Sequence, residues 1–239
     1  VKTPNFHTED DDGVPRHLLS PRSHVSREMR EARQVYKGMA FWLTGLSGAG
    51  KSTLAHAVEL ELFQRNYTTV VLDGDVVRTG LCRDLGFSPE ERGENNRRVA
   101  ELAKIFVGNG IICLCAFISP SREARRQARE IVGREFFREV FVRCSVEECE
   151  RRDVKGFYAR ARQGTIPNYT GVSSEYEPPL LPDMVICTEN ALVEKNVAEL
   201  LQFVEQQTAK TEPPHAQPCS QSLPPDTTPD TAPIREKRT

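Results

Sequence analysis

Apolar positions along the middle of the chain recur with two different periods. Residues 39–44 form a short apolar run, and Lys51–Gln64 follows with helical spacing. Residues 68–72 read T-T-V-V-L, a β-rich run. Pro89–Gly108 is expected as a helix, since Pro89 suits a first turn and Val99, Leu102, Ala103 and Phe106 repeat on one face. Residues 111–118 are continuously apolar between Gly110 and Pro120, as a buried strand would be. A charged helix is expected at 121–132, short strands at 140–142 and Met184–Cys187, and an amphipathic helix at 191–204. Strands alternating with helices predict an α/β fold: a mostly parallel sheet covered by helices on both faces, three layers in all.

The two ends break this pattern. Residues 1–35 carry an acidic run, Glu9 to Asp12, and then a charged segment. Residues 208–239 contain seven Pro and six Thr and almost no large apolar side chain. Such a segment buries too little surface to offset its ordering entropy, so a disordered tail is expected. The chain opens with Val, which reads as a processed protein or a piece of a longer one. As given, the ~32 residues after the alternating region are too few for another globular domain, so a single activity is expected.

Composition narrows the classes. With 32 Lys and Arg against 34 Asp and Glu, the formal charge is −2, which excludes a nucleic-acid binder by global charge. No apolar run approaches the ~18 residues of a membrane span. The seven cysteines show no metal-binding spacing, so reduced structural thiols and a cytoplasmic setting are expected, in keeping with the lack of a signal peptide.

The chemistry starts at Gly45-Leu46-Ser47-Gly48-Ala49-Gly50-Lys51-Ser52, which matches G-x-x-x-x-G-K-[ST] between a strand and a helix. Its backbone N–H groups would cradle phosphates at a helix N-terminus, with Lys51 on the β- and γ-phosphates and Ser52 on Mg²⁺. A P-loop NTPase fold binding a nucleoside triphosphate follows. A guanine-reading N-K-x-D is absent. Asp75 and Arg78 at the end of the second strand supply a carboxylate and a cation, as a small-molecule kinase requires. Arg92 and Asn95 share one helical face. Gly45, Asp75 and Ser119 all fall at carboxyl ends of strands, where open α/β sheets gather ligands. Residues 147–164 are rich in Arg and Lys and broken by Gly156 and Gly164, which suits a mobile lid closing over phosphates.

The strings GLSGAGKST (45–53), LDGDVVR (72–78), LGFSPEERGENNRR (85–98), FISPSREAR (117–125), CERRDVKGFYARAR (149–162) and YTGVSSEYEPP (169–179) together resemble the adenylylsulfate kinase (APS kinase) family. The likeness runs from about residue 24 to 201. It implies a kinase domain over 24–207 between a flexible segment 1–23 and the tail. It implies transfer of the γ-phosphoryl of Mg-ATP to the 3′-hydroxyl of adenosine 5′-phosphosulfate (APS), giving the 3′-phosphorylated product PAPS and ADP. By the family pattern Gly45, Ser47, Gly48, Ala49, Gly50, Lys51, Ser52 and Thr53 hold ATP, with Arg152 from the lid. Asp75 lies near the acceptor hydroxyl and, with Ser52, the metal. Arg78, Arg92 and Asn95 hold the phosphosulfate. Phe87 and Tyr169 sandwich the adenine beside Asn168, Ile118 and Ser119 line the site, and Lys155 acts over the nucleotides. Lys51, Asp75 and Ser119 are the catalytic candidates, Ser119 the weakest because it falls at a serine phosphorylated in some members. The family is often dimeric, which implies a homodimer with residues 24–35 at the interface.

Some positions depart from the family pattern. Tyr169 stands for a usual Phe, Ser121 for a frequent aromatic, and Arg143-Cys144-Ser145 for a V-D-x-P stretch. Ser173 replaces a frequent Asp, and Glu175 a frequent Pro. A non-catalytic nucleotide-binding relative and a kinase for another small acceptor therefore stand as alternatives.

Overall fold

The computed structural model describes residues 24–153 and 155–210; the expectations for 1–23 and 211–239 lie outside the described residues. Five strands form one sheet: β1 (Ala40–Thr44), β2 (Thr69–Asp73), β3 (Ile112–Ala116), β4 (Phe137–Arg143) and β5 (Met184–Cys187). Their order is β2-β3-β1-β4-β5, and every neighbouring pair is parallel. β1 and β3 are buried at every position, which explains their unbroken apolar sequence.

Helices α2 (Lys51–Gln64) and α8 (Val193–Thr208) cover one face of the sheet. There Leu54, Val58, Leu62, Leu200 and Val204 pack on Phe41, Leu43, Leu114, Val140 and Val142. Helices α3 (Gly74–Thr79), α4 (Pro89–Gly108) and α5 (Arg122–Val132) cover the other. On that side Trp42 stacks between Phe117 and Phe137, with ring centroids 5.5 and 5.7 Å away. Each fully buried large apolar side chain contributes about 1.5–3 kcal/mol, so these two layers hold the sheet. A short helix α1 (Arg27–Ala32) precedes β1, and α6 (Val146–Arg152) and α7 (Phe157–Arg162) follow β4. No helix among the described residues is long and apolar enough to cross a membrane.

α4 begins where the sequence places it. The Ser88 hydroxyl accepts from Glu91 N, and the Glu91 carboxylate accepts from Ser88 N, a capping box ahead of Pro89. Two strands differ from expectation. β3 stops at Ala116 because the chain turns at Ser119, whose φ is +38°. β4 starts three residues early, since Arg138 and Glu139 lie within it and are satisfied laterally by Gln207 and Arg125. The packed structure also reaches Lys210. Lys37 N donates to Thr208 O at 2.8 Å, Ala209 bridges Tyr36, and Lys210 Nζ donates to the Glu31 and Gln34 carbonyls at the end of α1.

Candidate active site

β1 runs directly into the glycine-rich loop, and α2 leaves it. Gly45 has φ +154°, and a Cβ there would lie 2.4 Å from Val142 O, so β4 leaves room only for glycine. Gly48 has φ +79°, and a Cβ there would lie 3.0 Å from Cys149 O of α6. Lys51 is buried, and its Nζ donates to Gly45 O (2.8 Å) and Leu46 O (2.7 Å). Burial is the main cause that pulls its pKa down to about 8, against the attraction of Cys149 and Asp73. Ser52 Oγ donates to Asp73 Oδ2 at 2.5 Å. Asp73 Oδ1 accepts from Asp75 N at 2.9 Å, so Asp73 caps α3 and aims its second oxygen at the loop. Asp75 itself forms an ion pair with Lys155.

The opposite wall is cationic. Arg78 Nη1 donates to Leu85 O and Gly86 O, and its guanidinium lies 4.3 Å from the Phe87 ring centroid. Arg92 Nε donates to Phe87 O at 3.0 Å, and Nη2 to Asn168 O at 3.2 Å. Burial lowers the pKa of both arginines, and Arg78 lowers that of Arg92 further by repulsion. Both remain charged, and an anion between them would relieve that repulsion. Asn95 is buried with its Oδ1 unpaired.

These walls enclose a cleft of about 320 Å³. Of the residues singled out in the sequence, Ser47, Gly48, Gly50, Lys51, Ser52, Thr53, Asp75, Arg78, Phe87, Arg92, Asn95, Ile118, Ser119 and Lys155 line it. Gly45 and Ala49 lie behind it, both within the loop. Arg152 does not line the cleft; it donates to Thr188 O at 2.7 Å, to Glu148, and to Gly48 O of the loop at 3.3 Å. Asn168 lines a neighbouring groove. Tyr169 packs in the core edge-on to Tyr158, 5.1 Å between centroids, and its Oη is buried near Ser47 without a hydrogen bond of sound geometry. Ser119 Oγ is also buried and accepts from Trp42 Nε1 at 3.0 Å.

Sequence reasoning passed over Asp73, Asn96, Asp153 and Tyr158, all on the cleft wall. Asp73 had a signal, a carboxylate ending a strand beside a phosphate loop. Tyr158 had none in its spacing; it enters because its hydroxyl donates to Ser47 O at 3.0 Å.

A profile of the family described as adenylylsulphate kinase matches residues 37–187, from just ahead of β1 through β5. The chain belongs to the adenylylsulfate kinase family. An adenylyl-sulfate kinase of Acaryochloris marina is 49% identical over 185 residues, 77% of this chain and 90% of the relative. One of Halothermothrix orenii is 51% identical over 170 residues, 71% of this chain and 91% of the relative. Among solved structures, the Mycobacterium tuberculosis APS kinase in complex with AMPPNP and APS superposes with a TM-score of 0.68 at 40% identity. That likeness covers 71% of this chain and 98% of the other. The site residues named from the sequence thus line one cleft, apart from Gly45, Ala49, Arg152, Asn168 and Tyr169, and the string 169–179 lies outside it.

Proposed function

We infer that this chain transfers the γ-phosphoryl of Mg-ATP to the 3′-hydroxyl of adenosine 5′-phosphosulfate, releasing PAPS and ADP. One observation carries the reading: the phosphate loop with Lys51, the carboxylate of Asp75 and the paired Arg78 and Arg92 line a single cleft. A donor needing phosphate contacts and an anionic acceptor fit the two walls. Lys51 exchanges its loop carbonyls for γ-phosphate oxygens and neutralises charge developing there. Arg78, Arg92 and Asn95 fix the phosphosulfate end of the acceptor.

Asp75 accepts the proton of the 3′-hydroxyl as the new O–P bond forms and the bond to the β-phosphate oxygen breaks. For that, Lys155 must leave Asp75, and it moves to the nucleotide phosphates as α6 and α7 close. Tyr158 and Arg152 tie these helices to the loop at Ser47 and Gly48. Ser52, Asp73 and Asp75 give hard oxygen donors beside the phosphate loop, the kind Mg²⁺ takes with one or two carboxylates and substrate phosphates. When bound, Mg²⁺ supplies charge neutralisation of the phosphates.

We also propose a homodimer with residues 24–35 at its interface, supported by the exposed Met29 and Val35. A reducing, cytoplasmic setting is proposed from the five buried free thiols and the free Cys187 among the described residues. The deciding experiment is ADP release with Mg-ATP and APS, with AMP and no acceptor as controls. Mass spectrometry locates the new phosphate. APS-dependent ADP with a 3′-phosphate is expected. Equal or faster turnover of AMP would assign a different acceptor, and nucleotide binding without APS-dependent turnover a non-catalytic role.

A further inference from the structure

Thr188 follows β5 directly and sits behind the phosphate loop. Its N–H donates to Arg143 O at 3.0 Å, so β4 holds its main chain independently of that loop. The side chain is buried, and its hydroxyl donates to Ala49 O at 2.9 Å. Its methyl carbon faces Gly50, where a Cβ would lie 3.8 Å away. Arg152 of α6 reaches the same point. Its Nη2 donates to Thr188 O at 2.7 Å, and its Nη1 lies 3.4 Å from Thr188 Oγ1 and 3.3 Å from Gly48 O. One residue thus joins the end of the sheet, the phosphate loop and α6.

The bond to Ala49 O fixes the peptide that follows. In a planar trans peptide the C=O and the next N–H point in opposite directions. Thr188 takes the Ala49 carbonyl away from the cleft, so the Gly50 N–H is turned towards it. The lining agrees, since Gly50 is on the cleft wall and Ala49 is not. Gly50 is only partly buried, and its N–H has no hydrogen-bond partner among the described residues. Its φ of +95° belongs to the kind of turn whose N–H groups form an anion-binding concavity. A flipped peptide would present the Ala49 oxygen to the phosphates, which repels them. The Thr188 hydroxyl opposes that flip, because the carbonyl would lose its partner.

We propose that Thr188 is a positioning residue for the phosphoryl donor, its hydroxyl holding the Ala49–Gly50 peptide with the Gly50 N–H aimed at the nucleotide phosphates. Its carbonyl holds Arg152, so α6 is fixed to the same peptide from outside the cleft. This rests on the nucleotide reading of the loop given above. Thr188 does not line the cleft and acts through Gly50. A donor oriented before the phosphates arrive adds affinity without a further ordering cost.

The test uses the full chain and three variants. Thr188→Ser keeps the hydroxyl, Thr188→Val keeps the shape without it, and Thr188→Ala lacks both. Calorimetry without acceptor gives Kd for Mg-ATP and for magnesium tripolyphosphate, a phosphate chain with no base; turnover gives KM for APS. Val and Ala should raise both Kd values together by about tenfold, the loss of one hydrogen bond that orients a donor to charge. KM for APS should hold, and Ser should match the unaltered chain. Unchanged Kd for ATP in both hydroxyl-free variants would overturn the proposal. So would equal shifts for ATP and APS, or a Ser variant as weak as Ala, which packing alone would produce. A loss for ATP with tripolyphosphate unaffected would place Thr188 at the base and overturn it as well. If Val does not fold, Ser against Ala makes the same comparison across one oxygen. An unaltered chain that binds neither ATP nor tripolyphosphate would instead refute the nucleotide reading beneath the proposal.

Discussion

Lys51 is the one lysine in the cleft that is fully committed to the loop that carries it. Its ammonium is desolvated and held by two carbonyls, a placement that keeps it pointed at the site where γ-phosphate charge develops. Lys51→Ala should therefore lower kcat with Mg-ATP and APS by about 10²–10³, the usual cost of losing one preorganised stabiliser of transition-state charge. Near-normal turnover would move the phosphate site elsewhere. Tyr169 presents the opposite case. The family likeness implies a ring stacked on the acceptor base, whereas the ring lies in the core against Tyr158, away from the cleft wall. Its buried hydroxyl is a burden there, because a desolvated O–H without a good partner is unfavourable. Tyr169→Phe should retain KM for APS and raise stability by about 1 kcal/mol, read from denaturant midpoints. A raised KM for APS would restore the hydroxyl or the ring to the binding site.

At the scale of elements, one buried arginine joins the acceptor wall to the rest of the fold. Arg125 of α5 donates to Ser119 O (2.7 Å), Glu177 O (2.7 Å) and Glu139 Oε1 (2.6 Å). It thereby locks the turn after β3 and the 176–178 segment onto β4, and Thr44 Oγ1 adds a bond to Ile118 O at 2.8 Å. Arg125→Met should destabilise the protein by about 3–5 kcal/mol, since Glu139 is left buried without its main partner. Unchanged unfolding would mean that Arg129, 3.9 Å from Glu139, replaces it. On α4, Arg97 and Arg98 hold the Glu94 carboxyl at about 2. A carboxyl depressed on folding stabilises above its unfolded pKa of about 4.5 and loses that contribution as pH falls towards 2. Glu94→Gln should thus cost about 0.5–1 kcal/mol at pH 7 and nothing near pH 2; a constant difference would deny the ion pairs any role. Long elements were legible because apolar period and caps agree, as in α4. The short helices α3, α6 and α7 were not, since six or seven residues give too few turns for a periodic signal and Asp73 or Ser145 supplies only a cap. β4 was half hidden because Arg138 and Glu139 interrupt its apolar run and owe their place to partners far along the chain.

For the whole molecule, the cleft forms at one end of the sheet and the chain's described ends meet at the other. The motifs were readable as local strings, and their convergence at the strand ends followed from the α/β pattern. The closure at the far end carried no such signal, because it depends on main-chain groups that any residue possesses. Lys37 N bonds Thr208 O, Tyr36 bridges Ala209, and Tyr36 Oη accepts from Thr68 N at 2.7 Å. Lys210 then satisfies two carbonyls at the end of α1, where a cation also meets the negative end of the helix dipole. Composition places residue 208 in the Pro/Thr-rich tail, yet Thr208 is fully buried and completes α8. Two truncations separate these views. Removing 211–239 should leave melting temperature and APS-dependent turnover unchanged, because every contact seen among the described residues that holds α1 and α8 is retained. Removing 208–239 deletes the bond to Lys37, the bridge to Tyr36 and the cap on α1 together, and should lower the melting temperature by several degrees, as a loss of about 1–2 kcal/mol does in a domain of this size. The cleft lies at the opposite strand ends, so KM for APS and ATP should hold in both truncations below the melting transition. Equal melting temperatures for the two would show that the closure adds no stability; a lower one already on removing 211–239 would place stabilising contacts in that segment.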